Sequence, residues 1–312
     1  GAALVVTDVG YTRLQREWRE WLADRLAARL ADLGSYPTAT DAPAARAAVA
    51  ARHGRDLQEV ALLAGGAEGF ALLPQLRPRL AALIAPSFTE PQAVFDSAGV
   101  PVAHVVLEAP FRLSGAAVPA DADLVVVGNP TNPTGVLHRR DEILGLRAPG
   151  RIVVVDEAYA EFARPGTPSA LTLLDRHPRL VVTRTMSKAF ALAGARLGYL
   201  AADPALVEAL LLVRMPYHLS SPTQAVARAA LAHPRQDQAR EAGDGEQVHV
   251  ELRLQVPPPP CRRAVVLPGL RQMRSVHPFG QHLGIGVGVD KTHGPRAGEL
   301  RNGWCTHRSH FS

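Results

Sequence analysis

The strongest constraint this chain places on its own fold is a series of short apolar runs: Val60 to Ala64, Leu80 to Ala85, Pro101 to Val106, Asp123 to Val127, Arg151 to Val155 and Leu180 to Thr183. Each has the length of a buried strand, and helical or turn-forming segments separate them. Buried strands alternating with helices predict an α/β fold with a largely parallel sheet. Ahead of the first run, Trp18 to Leu33 places Trp21, Leu22, Leu26 and Leu30 on one helical stripe that Gly34 ends. A second helix is expected from about Ala42 to His53, stopped by Gly54. After the first strand, Gly65-Gly66-Ala67-Glu68-Gly69 forms a turn that leads into a helical stretch from about Phe70.

Composition narrows the functional classes. With 312 residues, 47% of them hydrophobic, the chain can bury a substantial core as one large domain or two smaller ones. Its pI near 9.7 would ordinarily suggest nucleic acid or an anionic membrane. The excess is mostly terminal, however: residues 20–236 carry 21 basic against 20 acidic side chains. A nearly neutral body argues against nucleic acid. No apolar run approaches the roughly 18 residues needed to span a bilayer. Cys261 and Cys305 are too few for a disulfide framework and lack zinc-site spacing, so a reducing cytoplasm is expected.

Three of the runs end informatively. Val127 leads to Gly128-Asn129-Pro130-Thr131-Asn132-Pro133-Thr134-Gly135, Val155 to Asp156-Glu157-Ala158-Tyr159, and Val182-Thr183 to Thr185-Met186-Ser187-Lys188. Ligands of open parallel sheets bind at the carboxyl ends of strands, so these segments should share one cleft. Lysine occurs only twice in the chain, as Lys188 and Lys291, although arginine is abundant. An amine that can lose its proton condenses with an aldehyde, and a guanidinium does not; Lys188 therefore points to pyridoxal 5'-phosphate. Asp156, at the end of a buried strand, would be costly unpaired. Opposite a pyridine nitrogen it would hold the ring protonated, making it a better electron sink. A phosphate could sit at Gly66 and the backbone amides of Ala67 and Glu68, where a helix begins. The hydroxyls of Thr185 and Ser187 and the guanidinium of Arg196 would complete such a cradle.

Taken together, the Asn129 to Gly135 segment, Asp156 to Tyr159, and Ser187-Lys188 with Arg196 eight residues beyond the lysine resemble the class I/II aminotransferases of fold type I. The resemblance covers residues 20 to about 233 and is nearest to the branch holding histidinol-phosphate aminotransferase and the threonine-phosphate decarboxylase of cobalamin synthesis. It implies a mostly parallel sheet sandwiched by helices, and catalytic roles for Lys188, Asp156 and Tyr159. It also implies that Asn132 and Tyr159 hydrogen-bond the cofactor's phenolic oxygen, and that Phe88 stacks on its ring. Phe88 could equally be a core residue. Tyr36 matches a tyrosine that reaches the cofactor phosphate of a second subunit, implying a homodimer. The implied reaction moves an amino group between an amino acid, or a phosphorylated amine such as histidinol phosphate, and a 2-oxo acid. Decarboxylation of threonine phosphate is the alternative, and a catalytically impaired relative is another.

The ends depart from the family. Residues 1–19 lack its usual opening segment, and residues 237–312 hold six of the 12 histidines, both cysteines and the run Pro257 to Pro260 without helical or strand periodicity. Such composition is what out-of-frame translation of a GC-rich gene would give. The small C-terminal domain is expected to be atypical or missing, and with it the arginine that grips the substrate carboxylate. Arg253 is only a superficial counterpart.

Overall fold

The structure, a computed structural model, describes Arg16 and residues 20–27, 29–37, 43–114, 116–164 and 166–232. All fall within one unit, Gly1–Val256. The expectations for residues 1–15 and 237–312, Arg253 included, lie outside the described residues.

Seven strands form one sheet in the order β1-β7-β6-β5-β4-β2-β3. They are β1 (Val60–Leu63), β2 (Ala81–Ala85), β3 (Val102–Val106), β4 (Leu124–Gly128), β5 (Ile152–Asp156), β6 (Leu180–Thr185) and β7 (Gly198–Ala202). β3, β2, β4, β5 and β6 run parallel, and β7 is antiparallel to both β6 and β1. The six predicted strands are present, with ends moved by a residue or two. β7 was not anticipated. Its sequence, Gly198-Tyr199-Leu200-Ala201-Ala202, has no β-branched residue, and it is a strand because it is wholly buried between two others.

Helices cover both faces, which is why the strands read as continuous apolar runs. Along β4 and β5, Val125, Val127, Val153 and Val155 enter one core with Ala45 and Val49 of α2 (Pro43–His53). Leu124, Val126 and Val154 enter the opposite core with Phe70 of α3 (Gly66–Leu72) and Phe95 of α4 (Glu90–Ser97). The second core also takes Val207 and Leu210 of α6 (Pro204–Leu212), and the first takes Val226, Ala227 and Ala230 of α7 (Ser221–Leu231). Ile143 of α5 (Arg140–Gly145) also enters the first core.

The N-terminal amphipathic helix is realised over residues 20–27 as α1, followed by a 3-10 turn at Leu30–Gly34. Trp21 anchors it by donating from its indole to the carbonyl of Ala229 in α7, at 2.9 Å. The helix after the glycine turn begins at Gly66 rather than near Phe70. Among the described residues no helix is long and apolar enough to cross a membrane.

Candidate active site

The register of the central strands sets the site. Gly128 of β4 pairs with Asp156 of β5, and Asp156 pairs with Thr183 of β6, so three neighbouring strands finish side by side at their carboxyl ends. The loops carrying Asn132, Tyr159 and Lys188 leave from this row. At its centre, Asp156 Oδ1 accepts the Ala158 amide at 3.1 Å and the Thr183 hydroxyl at 3.4 Å. Oδ2 takes neither of these bonds. Asp156 is partly exposed as a residue, yet burial pushes its carboxyl up to about 6. The two hydrogen bonds and the charge of Lys188 oppose that rise, and Glu157 adds to it. A carboxyl so placed gains from an external cation or N–H donor.

Lys188 follows β6 and is exposed, with Nζ 5.5 Å from the centre of the Tyr159 ring. Behind it the chain is tightly held. Thr185 donates its hydroxyl to Ser187 Oγ at 2.9 Å, and Thr185 Oγ1 accepts the Ser187 amide at 3.1 Å.

The glycine turn joins this group. Gly65 has φ +82°, and a Cβ built there would stand 2.5 Å from Arg196 Nη2. Arg196, itself left-handed at φ +48°, also donates to the carbonyl of Ala193 at 3.1 Å. A Cβ on Gly66 would meet Thr185 Cβ at 3.6 Å. One on Gly198 would come within 2.8 Å of the Gly66 nitrogen, so Gly198 lets the turn settle onto the sheet. The structure thus brings Gly66, Thr185, Ser187 and Arg196 together, with Ala67 and Glu68 next along α3. Glu68 also turns its carboxylate back to accept the Ala64 amide at 2.6 Å.

Asn132 is half-buried in the loop after β4 and precedes a cis proline, Pro133. Phe88, in the loop after β2, is 45% exposed, so it is no core residue; its ring lies 6.3 Å from that of buried Phe70. Tyr36 is 81% exposed and tilts against Tyr217 at 5.2 Å, away from any packed core.

Sequence reading missed an ionic network around Arg184. Arg184 of β6 pairs with Glu157 and Glu161, at 2.7 Å each, and Glu157 also accepts the Ser169 hydroxyl and the Ala170 amide at 2.6 Å. A signal was available: an arginine directly after the run Leu180 to Thr183 needs a partner if the strand continues into it. Thr183, bonded to Asp156, and His138, buried behind Asn132's loop, carried no such signal.

Residues 11–252 match the family described as aminotransferase class I and II. A histidinol-phosphate aminotransferase of Mycobacterium bovis is 50% identical over 216 residues, covering 69% of this chain and 58% of that protein. One from Frankia casuarinae is 66% identical over 115 residues, 35% of this chain and 29% of that protein. The chain thus spans less than two thirds of the length of the curated relatives it matches. Among solved structures, histidinol-phosphate aminotransferase from Sinorhizobium meliloti, in complex with pyridoxal 5'-phosphate, superimposes with a TM-score of 0.64 at 24% identity, over 71% of this chain and 62% of that one. The L-threonine-O-3-phosphate decarboxylase from Porphyromonas gingivalis does so with 0.62 at 24% identity, over 69% of this chain and 66% of that one. These likenesses are likenesses of fold. By its sequence match and its fold, the chain belongs to the class I and II aminotransferase family, whose members depend on pyridoxal phosphate.

Proposed function

We propose that this chain binds pyridoxal 5'-phosphate and, in the protein to which it belongs, transfers an amino group between a small amino acid or phosphorylated amine and a 2-oxo acid. The observation that carries this reading is the side-by-side ending of β4, β5 and β6, which sets Asp156 between the loops of Asn132 and Lys188. Two features fit the cofactor. The Asp156 carboxyl has a raised pKa and one oxygen outside the two hydrogen bonds to the protein. The Gly65-Gly66 turn sits against Thr185 and against the Arg196 guanidinium, which fills the space beside Gly65.

When bound, the cofactor supplies an aldehyde for an amine and a ring that withdraws electrons from the substrate's Cα. Lys188 would hold it through its amine and, when that amine is free, would serve as the base for the substrate's Cα proton. Asp156 keeps the ring nitrogen protonated. Tyr159 and Asn132 would donate to the cofactor's phenolic oxygen, and Phe88 would pack against its ring. The amides of Gly66, Ala67 and Glu68, the hydroxyls of Thr185 and Ser187, and Arg196 bind the phosphate. Exposed Tyr36 supports a homodimer in which it reaches the second subunit's cofactor. The cytoplasm is the expected compartment.

The test is spectroscopic and then chemical. Purified chain mixed with pyridoxal phosphate should develop visible absorbance that Lys188→Ala abolishes; a colourless wild type would sink the reading. Coloured protein is then given histidinol phosphate or amino acids with a 2-oxo acid. Turnover that requires the oxo acid supports transamination, whereas CO₂ release without it would assign decarboxylation.

A further inference from the structure

The loop between β4 and α5 carries Asn132, and one side chain that no motif marks holds it in place. Thr131, the residue before Asn132, donates its hydroxyl to the carbonyl of Gly128 at 2.7 Å. That hydroxyl has a single proton, so its 3.2 Å contact with His138 Nε2 requires the imidazole to donate. His138 is therefore the neutral Nε2–H tautomer. Its Nδ1 is then a bare acceptor, and that atom is buried with no hydrogen-bond partner among the described residues. Such an atom is costly to leave unpaired, and its cost is tolerated where other contacts over-determine the position.

Those contacts are present. Asn129 Oδ1 accepts the His138 amide at 2.7 Å, and Asn129 Nδ2 donates to the His138 carbonyl at 3.4 Å. The Thr131 amide donates to Val136 at 2.9 Å, and the Gly135 amide donates to Thr131 at 2.7 Å. Burial, the largest cause, holds His138 below the ordinary imidazole range, with Glu142 opposing and Arg112 assisting, which favours the neutral ring.

We propose that His138 is a positioning residue for Asn132: through its Nε2–H bond to the Thr131 hydroxyl it fixes the loop that presents Asn132 to the cofactor's phenolic oxygen. This rests on the cofactor reading above. His138 touches neither substrate nor cofactor and acts only through Thr131.

The experiment follows the pH midpoint of the cofactor's visible absorbance in the full chain, because a donor to the phenolic oxygen lowers that midpoint by stabilising the oxygen's charged form. Asn132→Ala should raise it. His138→Leu, which cannot donate, should raise it by at least half as much, and His138→Gln, which retains a donor at a similar reach, should restore the wild-type value. In an Asn132→Ala background, His138→Leu should add nothing. Thr131→Val removes the same bond from the other side and should reproduce the shift even if His138→Leu does not fold. A coloured wild type whose midpoint is unmoved by both His138→Leu and Thr131→Val overturns the positioning role alone, as does an equal shift in the Asn132→Ala background. ¹⁵N spectra of the histidine-labelled chain, with His138 assigned by difference from His138→Gln, should show the Nε2–H tautomer. An Nδ1–H tautomer overturns the proposal without reference to any cofactor. A wild type that takes up no cofactor overturns the cofactor reading itself, and the role for Asn132 falls with it.

Discussion

The guanidinium of Arg196 occupies the space where a side chain on Gly65 would begin: a Cβ there would stand 2.5 Å from Nη2. Two residues 131 positions apart thus share one volume: the backbone at Gly65 favours glycine, and a side chain there would push the Arg196 guanidinium aside. Gly65→Ala should strain a backbone at φ +82° and ψ 168°, a region costing about 1–3 kcal/mol for other residues, and displace Arg196 as well. Cofactor affinity should fall by roughly tenfold or more, the equivalent of about 1.4 kcal/mol or more. Titration with pyridoxal phosphate beside urea unfolding separates the two effects, and unchanged affinity would remove Arg196 from the phosphate site.

Asp156 makes the apo protein sensitive to pH. Its carboxyl is raised from 3.8 to about 6, so the folded chain favours the protonated form. The stability this contributes is complete below about pH 4 and is lost as pH rises through about 6. Relative to Asp156→Asn, the wild type should lose on the order of 3 kcal/mol across that window, at about 1.4 kcal/mol per unit. Urea midpoints of both proteins from pH 4 to 8 measure this. Saturating pyridoxal phosphate should abolish the difference or reverse it, because a protonated ring nitrogen pairs with the charged carboxylate.

Arg184 is predicted to matter for stability and not for chemistry. Arg184→Leu leaves Glu157 and Glu161 as buried carboxylates without their cation, at a cost of about 3–5 kcal/mol. Chemical denaturation should show that loss, and replacing Glu157, Glu161 and Arg184 together by apolar residues should recover much of it. A loss below about 1 kcal/mol, the range of solvent-exposed pairs, would mean that water reaches the network.

β1 ends the sheet, and three side chains donate to its carbonyls. Arg46 Nε donates to Val60 at 2.5 Å, while His218 Nε2 and Arg214 Nη1 donate to Leu62 at 3.1 and 3.4 Å. Blocking an edge in this way opposes strand addition from another molecule. The double substitution Arg46→Ala and Arg214→Ala should increase aggregation at fixed concentration, read by light scattering, with little change in secondary structure. Unaltered scattering would show that the edge is protected by other means.

Much of the architecture was written locally. Runs such as Leu124 to Val127 and Ile152 to Val155 are apolar on both faces because helices cover both sides of the sheet, and that pattern survives in a single sequence. The segments around Asn132, Asp156 and Lys188 could be read as the ends of strands for the same reason. β7 could not be, because Gly198 to Ala202 has no pattern of its own and becomes a strand only by lying between β6 and β1.

What the sequence by itself determined was the kind of fold and the places of Asp156 and Lys188 at the ends of neighbouring strands. The tertiary structure decided which distant residues meet. It set Gly65 against Arg196, gave Arg184 its two acids and fixed the tautomer of His138 through Thr131. Periodicity records whether a residue is buried, but hydrogen bonds and ion pairs between segments far apart in the chain depend on how the strands are ordered and registered, and no local pattern encodes that.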